Sequence, residues 1–285
     1  MFLQKMLRRS MILPLFAAIL PLVSPITANA ADADVLARIP ASGTFSCNIC
    51  DFSGADLTAH PNIKNGQFFD GNFEGANLAG MDLSGIELIR SNFKYTKLKK
   101  TNFSGAEISD SSFEEADLEY AQFTGAKLVS VFFDNTNLHA SNFDNATLER
   151  IEWSKADLGL ANFSGAKLAG SDFTKVDLAR TNFTGADMSN ANLAEVNMTK
   201  AILVRANLTG ANLKEANLSQ VNLEGANLTK AMVRLANMIG VRFGGANFTD
   251  AKFGGADIQP IDTGTPLYCR TETRDGEMKS GPLCQ

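Results

Sequence analysis

The sequence predicts a four-sided repeat solenoid, and two periods carry that prediction. The first is five residues long. From Ile63 to Ile258 every fifth position is apolar, forty in a row, mostly Leu, Phe, Met or Ile, with Trp153 and Val233 as single variants. Two residues before each centre stands a small side chain, usually Ala, as in Ala156-Asp157-Leu158, Ala166-Lys167-Leu168 and Ala211-Asn212-Leu213. A period of five matches neither the 3.6 of a helix nor the 2.0 of a strand. The second period is twenty: Phe103, Phe123, Phe143, Phe163 and Phe183 recur at that interval, as do Phe113, Phe133, Trp153 and Phe173. A twenty-residue coil of four sides sorts these aromatics into ladders on two opposite sides and leaves Leu ladders on the others. A fifteen-residue coil scrambles them.

The motif, A-(D/N)-(L/F)-x-x, resembles that of the pentapeptide-repeat family, over about seventy per cent of the chain. The resemblance implies an all-β fold, a right-handed quadrilateral parallel β-helix with one repeat per side and four per coil. It also implies that the centre and the small residue point inward and the other three outward. Forty repeats then make ten coils, a rod of roughly 50 Å at the usual strand spacing. Each inward Leu or Phe contributes roughly 1.5–3 kcal/mol of burial as an upper estimate, and stability sums over neighbouring coils. Met81, Ile86 and Ile151 are large for the small position and are expected to bulge their coils. Asn and Gly in the outward positions suit tight corners. Phe52 and Leu57 keep the period but lie one residue out of phase, so His60-Pro61-Asn62 has an extra residue to absorb.

The ends read differently. Residues 1–30 have the form of a cleaved export signal: Lys5, Arg8 and Arg9, an apolar stretch from Met11 to Ile26 interrupted by three prolines, and Ala28-Asn29-Ala30 before Ala31. Residues 31–46 are expected to cap the first coil, with Asp34 as N-cap of a short helix over Val35 to Ile39. Residues 47–258 form the β-helix. Residues 259–285, with Pro260, Pro266 and Pro282, are expected to form a C-terminal cap closed by a disulfide. The cysteines are Cys47, Cys50, Cys269 and Cys284, an even count that favours disulfides in an exported chain. Of the three possible pairings, the local one, Cys47–Cys50 with Cys269–Cys284, is the economical choice. A redox reading of Cys47-Asn48-Ile49-Cys50 lacks the α/β pattern it needs, and haem attachment fails because Asp51 stands where His is required. A four-cysteine zinc site would have to join opposite ends of the rod.

The formal charge of −5 becomes about −8 once residues 1–30 are removed. That favours solubility and argues against a general nucleic-acid or anionic-membrane binder. The only histidines, His60 and His139, belong to no cluster with metal-ligand spacing, and the motif itself supplies the many Asp residues. No catalytic, cofactor-binding or metal residues are expected, hence no enzyme and no cofactor. Sequons such as Asn162-Phe163-Ser164 and Asn207-Leu208-Thr209 are by-products of the repeat.

Some pentapeptide-repeat proteins engage DNA gyrase by presenting an acidic rod that resembles duplex DNA, and the resemblance raises that as the alternative function. Here the outward charges sum to about 0, −2, −2 and 0 on the four sides, which is no continuous field of one sign. The leading expectation is a non-enzymatic, exported structural or protein-binding module with a protein partner. No nucleic acid and no membrane span in the mature chain are expected, and the oligomeric state stays open. Its compartment would be the periplasm, with a thylakoid lumen or secretion as alternatives. The candidate partner-binding surface is one corner column at twenty-residue spacing: Lys100, Tyr120, Leu160, Arg180 and Lys200, with Lys97 and Lys99 beside its start. Phe132, Met232 and Leu235 are further outward apolars on a neighbouring side.

Overall fold

Each repeat has five backbone N–H groups, and how these are satisfied explains both the fold and its motif. In the computed structural model, which describes residues 33–259 and 266–279, four of the five bond to backbone. In the repeat around Phe103, the Phe103 N–H donates to the Gln122 carbonyl of the next coil (2.6 Å) and the Gly105 N–H to Thr124 (2.9 Å). The Asn102 N–H donates back to Met81 (2.9 Å), and the Ala106 N–H closes the corner onto Phe103 (3.0 Å). The fifth, on Ser104, bonds to the Asn102 side chain at 3.0 Å. The Asn or Asp of the motif is therefore the acceptor that the turn would otherwise lack. Its amide does a second job. Asn162 Nδ2 donates to Asn142 Oδ1 (2.8 Å), and Asn182 Nδ2 to Asn162 Oδ1 (2.9 Å), forming a ladder down the rod.

The result is a right-handed quadrilateral β-helix of about eleven turns. Residues twenty apart pair in parallel, as in Asn142↔Asn162↔Asn182 and Leu88↔Ile108↔Leu128. We name the sides by their centres: A (Phe103, Phe123, Phe143), B (Leu88, Ile108, Leu128), C (Phe93, Phe113, Phe133) and D (Leu98, Leu118, Leu138). From Gly66 to Ala256 centres and small residues are buried, except Phe243, which is half-buried. The rings of side A stack at 4.7–5.1 Å from Phe103 to Phe183. Those of side C stack from Phe73 to Phe173, and the two ladders meet edge-on at 6.0–6.4 Å across the core. Where Ser or Thr takes the small position, its hydroxyl can reach the carbonyl of the centre twenty-three residues earlier: Thr101 to Leu78 (2.8 Å), Thr136 to Phe113 (2.7 Å). Met81, Ile86 and Ile151 are accommodated inside, 1–6% exposed. Beside Ile151 lie two buried polar atoms without a partner, Trp153 Nε1 and Ser171 Oγ. Each such atom costs about 1–3 kcal/mol.

The frame shift is visible at the first coil. Asp51 pairs with Asn72 and Asp56 with Asn77, twenty-one residues apart, and the extra residue is taken up in a 3-10 turn, Pro61–Ile63. Ahead of it, the helix α1 (Ala33–Arg38) starts earlier than expected and takes Asp34 into its first turn instead of before it. Val35 is buried, and Leu36, Ile39 and Phe45 pack on the core. Gly66 admits this cap: a Cβ there would lie 2.2 Å from the Phe45 carbonyl oxygen and 2.8 Å from that of Ile63. Backbone atoms cannot step aside. Gly66→Ala is therefore expected to cost about 1–3 kcal/mol and to expose residues 33–46 to proteolysis before the coils melt. A cap as protease-resistant as in the parent would refute this packing.

At the other end the structure revises the expected boundary. Residues 267–274 continue the twenty-residue register: Leu267 pairs with Asn247 and Glu272 with Lys252, and Thr271 donates its hydroxyl to the Phe248 carbonyl at 2.7 Å. A partial eleventh turn thus lies inside the expected cap, and its strand Thr271–Glu272 also pairs antiparallel with Met278–Lys279 in a short hairpin. The sequence concealed this because Thr273 occupies a centre that elsewhere is apolar. Arg234 pins the turn down. Its Nη2 reaches past Gly254 and donates to both Glu272 carboxylate oxygens, at 2.9 and 2.7 Å. The expected signal segment 1–30, residues 260–265 and Cys284 lie outside the described residues.

Candidate partner-binding surface

The surface is built on the corners. From Asn65 to Gly255 the last residue of each repeat takes a positive φ, whether or not it is glycine. In the column between sides D and A these are Lys100 (φ 60), Tyr120 (60), Ala140 (53), Leu160 (60), Arg180 (60) and Lys200 (61). A side chain in this region costs about 1–2 kcal/mol; here the corner hydrogen bonds hold it there, and the side chain projects from the edge. The column is a ridge, roughly 24 Å from Lys100 to Lys200 at one strand spacing per coil.

The ridge is not uniform. At its start, Lys99 lies over the Tyr120 ring, 5.8 Å from the centroid, and pairs with Glu119, whose hydrogen bond raises the lysine pKa. Leu160 is exposed in the middle, with Ala140 separating it from Tyr120. Arg180 and Lys200 adjoin at the end, and neither enters an ion pair or side-chain hydrogen bond among the described residues. Phe132 is half-buried, Met232 is exposed, and Leu235 lies across Gly255, its Cδ2 2.6 Å from where a Cβ would be. His139 sits over Gly159, its Nδ1 3.7 Å from Asp157 Oδ1. His60 precedes the 3-10 turn.

Elsewhere a number of surface charges pair between coils. Asp70 and Arg90 form a two-pronged pair at 2.8 and 2.7 Å, repeated at Asp250 and Arg270 with both bonds at 2.7 Å. The hydrogen bond from Arg270 holds the Asp250 carboxyl below its ordinary range, and that from Lys64 holds Asp82 at about 2. Among the described residues, no group of three or more His, Cys, Asp or Glu could hold a metal ion. No helix there is long and apolar enough to cross a membrane. Cys47 and Cys50 are joined by a disulfide with Cα atoms 6.0 Å apart, Cys50 buried and Cys47 half-buried against the core. Cys269 is also disulfide-bonded.

The model "Pentapeptide repeat region" matches residues 66–143, and "Pentapeptide repeats (8 copies)" matches successive windows across residues 156–259, together more than half of the chain. The chain belongs to the pentapeptide-repeat family. Solved pentapeptide-repeat structures that it resembles include HetL of the cyanobacterium Nostoc sp. strain PCC 7120, involved in heterocyst differentiation regulation. There the identity is 26%, the coverage 88% of this chain and 100% of that one, and the TM-score 0.28. QnrB1, a plasmid-mediated fluoroquinolone resistance protein, is 16% identical over 79% of this chain and 93% of its own, with a TM-score of 0.38. A pentapeptide-repeat protein of the Arabidopsis thaliana thylakoid lumen is 25% identical over 54% and 70%, with a TM-score of 0.15. No curated protein sequence matches the chain significantly. In this pentapeptide-repeat rod a further feature that the sequence did not reveal is the motif's Asn/Asp ladder. The signal was present, since Asn or Asp stands before so many centres, but the residue reads as a solvent-facing corner former until its two bonds are seen.

Proposed function

We propose that this protein is an exported, non-enzymatic rod that binds a protein partner through side chains held at fixed spacing along its corners. The observation that carries the reading is the corner geometry. Charged and aromatic residues, not only glycines, occupy strained positive-φ corners in register from Lys100 to Lys200. Export is supported by the signal-like residues 1–30 and agrees with the Cys47–Cys50 disulfide, which is stable in an oxidising compartment. A gyrase-directed DNA mimic is the weaker reading, because matched ion pairs between coils break up any continuous acidic field.

The test is crosslinking in intact cells of the native host, followed by capture of the full-length product. An envelope or lumen protein is expected, together with a product whose first residue is Ala31. Recovery of gyrase, or of a product that retains residues 1–30 in the cytoplasm, would overturn the proposal.

A further inference from the structure

Four cations gather without partners in the later coils of side A. Arg180, Lys200, Arg205 and Arg242 are all exposed, and none makes an ion pair or side-chain hydrogen bond among the described residues. Arg242 lies on side A, Arg180 and Lys200 on its corner with side D, and Arg205 on its corner with side B, all within coils 180–245. On the outward positions of that stretch of side A the single acid is Glu224. The charge sum for the side, near zero, hides this because Asp82 and Asp144 sit in earlier coils.

The same coils carry a groove of about 260 Å³, lined by Lys200, Ile202, Gln220, Asn222, Gly240 and Arg242. Its shape follows from two substitutions in otherwise regular columns. Gly240 leaves the corner above Gln220 without a side chain. Ile202 replaces the Asn or Asp of the motif and breaks the amide ladder, which runs up side A as Asn142, Asn162 and Asn182. Asn222 still accepts from the Glu224 N–H at 3.0 Å, but the residue beneath it is now an isoleucine, which offers its Nδ2 no acceptor. The groove therefore has a cation at each end, Lys200 and Arg242. Between them it has amide donors from Gln220 and Asn222, and an apolar floor at Ile202, which is 42% exposed.

We infer that this groove binds an acidic, extended segment of a partner protein, with carboxylates on Lys200 and Arg242. The two cations are two coils apart, roughly 10 Å along the axis, which an extended chain covers in about three residues. Unpaired charges that meet complementary ones raise the association rate and fix register. Nucleic acid fits less well: the cations are few, Glu224 stands among them, and the floor is apolar. The inference rests on the protein-binding reading above and specifies where the contact is made.

The measurement is fluorescence anisotropy of a labelled hexaglutamate peptide, with hexaglutamine and a single-stranded oligonucleotide as comparators. Hexaglutamate is expected to bind the full mature protein more tightly than either, with affinity falling as salt rises. Lys200→Ala with Arg242→Ala is expected to weaken it roughly tenfold, since two exposed ion pairs are lost. Lys127→Ala with Lys167→Ala, two lysines on side B with no ion pair among the described residues, should leave it unchanged. Equal losses in the two double variants would overturn the groove, as would tighter binding of the oligonucleotide. So would full competition by succinate at matched carboxylate concentration, because the site would then be one for small anions. If the partner crosslinked in cells is still captured by the Lys200→Ala, Arg242→Ala protein, the groove fails while the binding-module reading stands.

Discussion

Leu158→Asp is expected to destabilise the rod by about 4–5 kcal/mol, while Leu160→Asp, two residues on, changes its stability by less than about 0.5 kcal/mol. The two residues are chemically identical and nearly adjacent. Leu158 is a side D centre with no exposed surface, whereas Leu160 is a corner residue 48% exposed. An aspartate at 158 would put a carboxylate among the leucines of neighbouring coils with no cation to meet it, and it must either stay charged without solvent or take up a proton. At 160 the same carboxylate stands in water, in the column that Arg180 and Lys200 continue. Thermal melts of the two variants beside the parent measure the contrast. Equal melting temperatures would mean that the five-residue register is misassigned.

The register was legible because it is over-determined. Forty centres at one spacing leave no freedom of phase, and the aromatic recurrence of Phe103 to Phe183 gives the number of sides. Even the slip near His60 could be placed, since Phe52 and Leu57 hold the same period before it. What the sequence concealed has physical causes. The eleventh turn was hidden because its register is kept by backbone pairing and by the Thr271 hydroxyl, with Thr273 where an apolar centre would mark it. The Asn and Asp of the motif looked like solvent-facing corner formers, although nearly all close a turn and many tie one coil to the next. The surface was harder still. Arg180 and Lys200 fall in one twenty-residue column and were found that way, but Arg205 and Arg242 belong to other columns. Charge summed along a whole side erases a cluster confined to a few coils; sorting by coil as well as by side recovers it.

Phe143→Ala is expected to cost about 3–5 kcal/mol, and to do so locally. Phe143 stacks on Phe123 at 4.7 Å and Phe163 at 4.8 Å, and it meets Phe133 and Trp153 edge-on at 6.4 and 6.0 Å. Truncating it leaves a void bordered by four rings, none of which can close over it without leaving its own stack. Phe143→Leu keeps most of the volume and should cost far less. In a solenoid each coil is supported only by its neighbours, so the loss should spread a coil or two in either direction and then stop. From Met188 to Met238 the centres are aliphatic, with no ring contact to the damaged ladder. Native-state hydrogen exchange is therefore expected to show protection falling in coils 123–163 while amides between Leu193 and Leu228 exchange as in the parent. A uniform fall from Phe52 to Ile258 would mean that the rod opens as one cooperative unit, and that its stability is not a sum over neighbouring coils. The localised outcome would also explain how the rod tolerates the unpaired Trp153 and Ser171 beside Ile151: a defect that stays within its own coils need not compromise the corners on which partner binding depends.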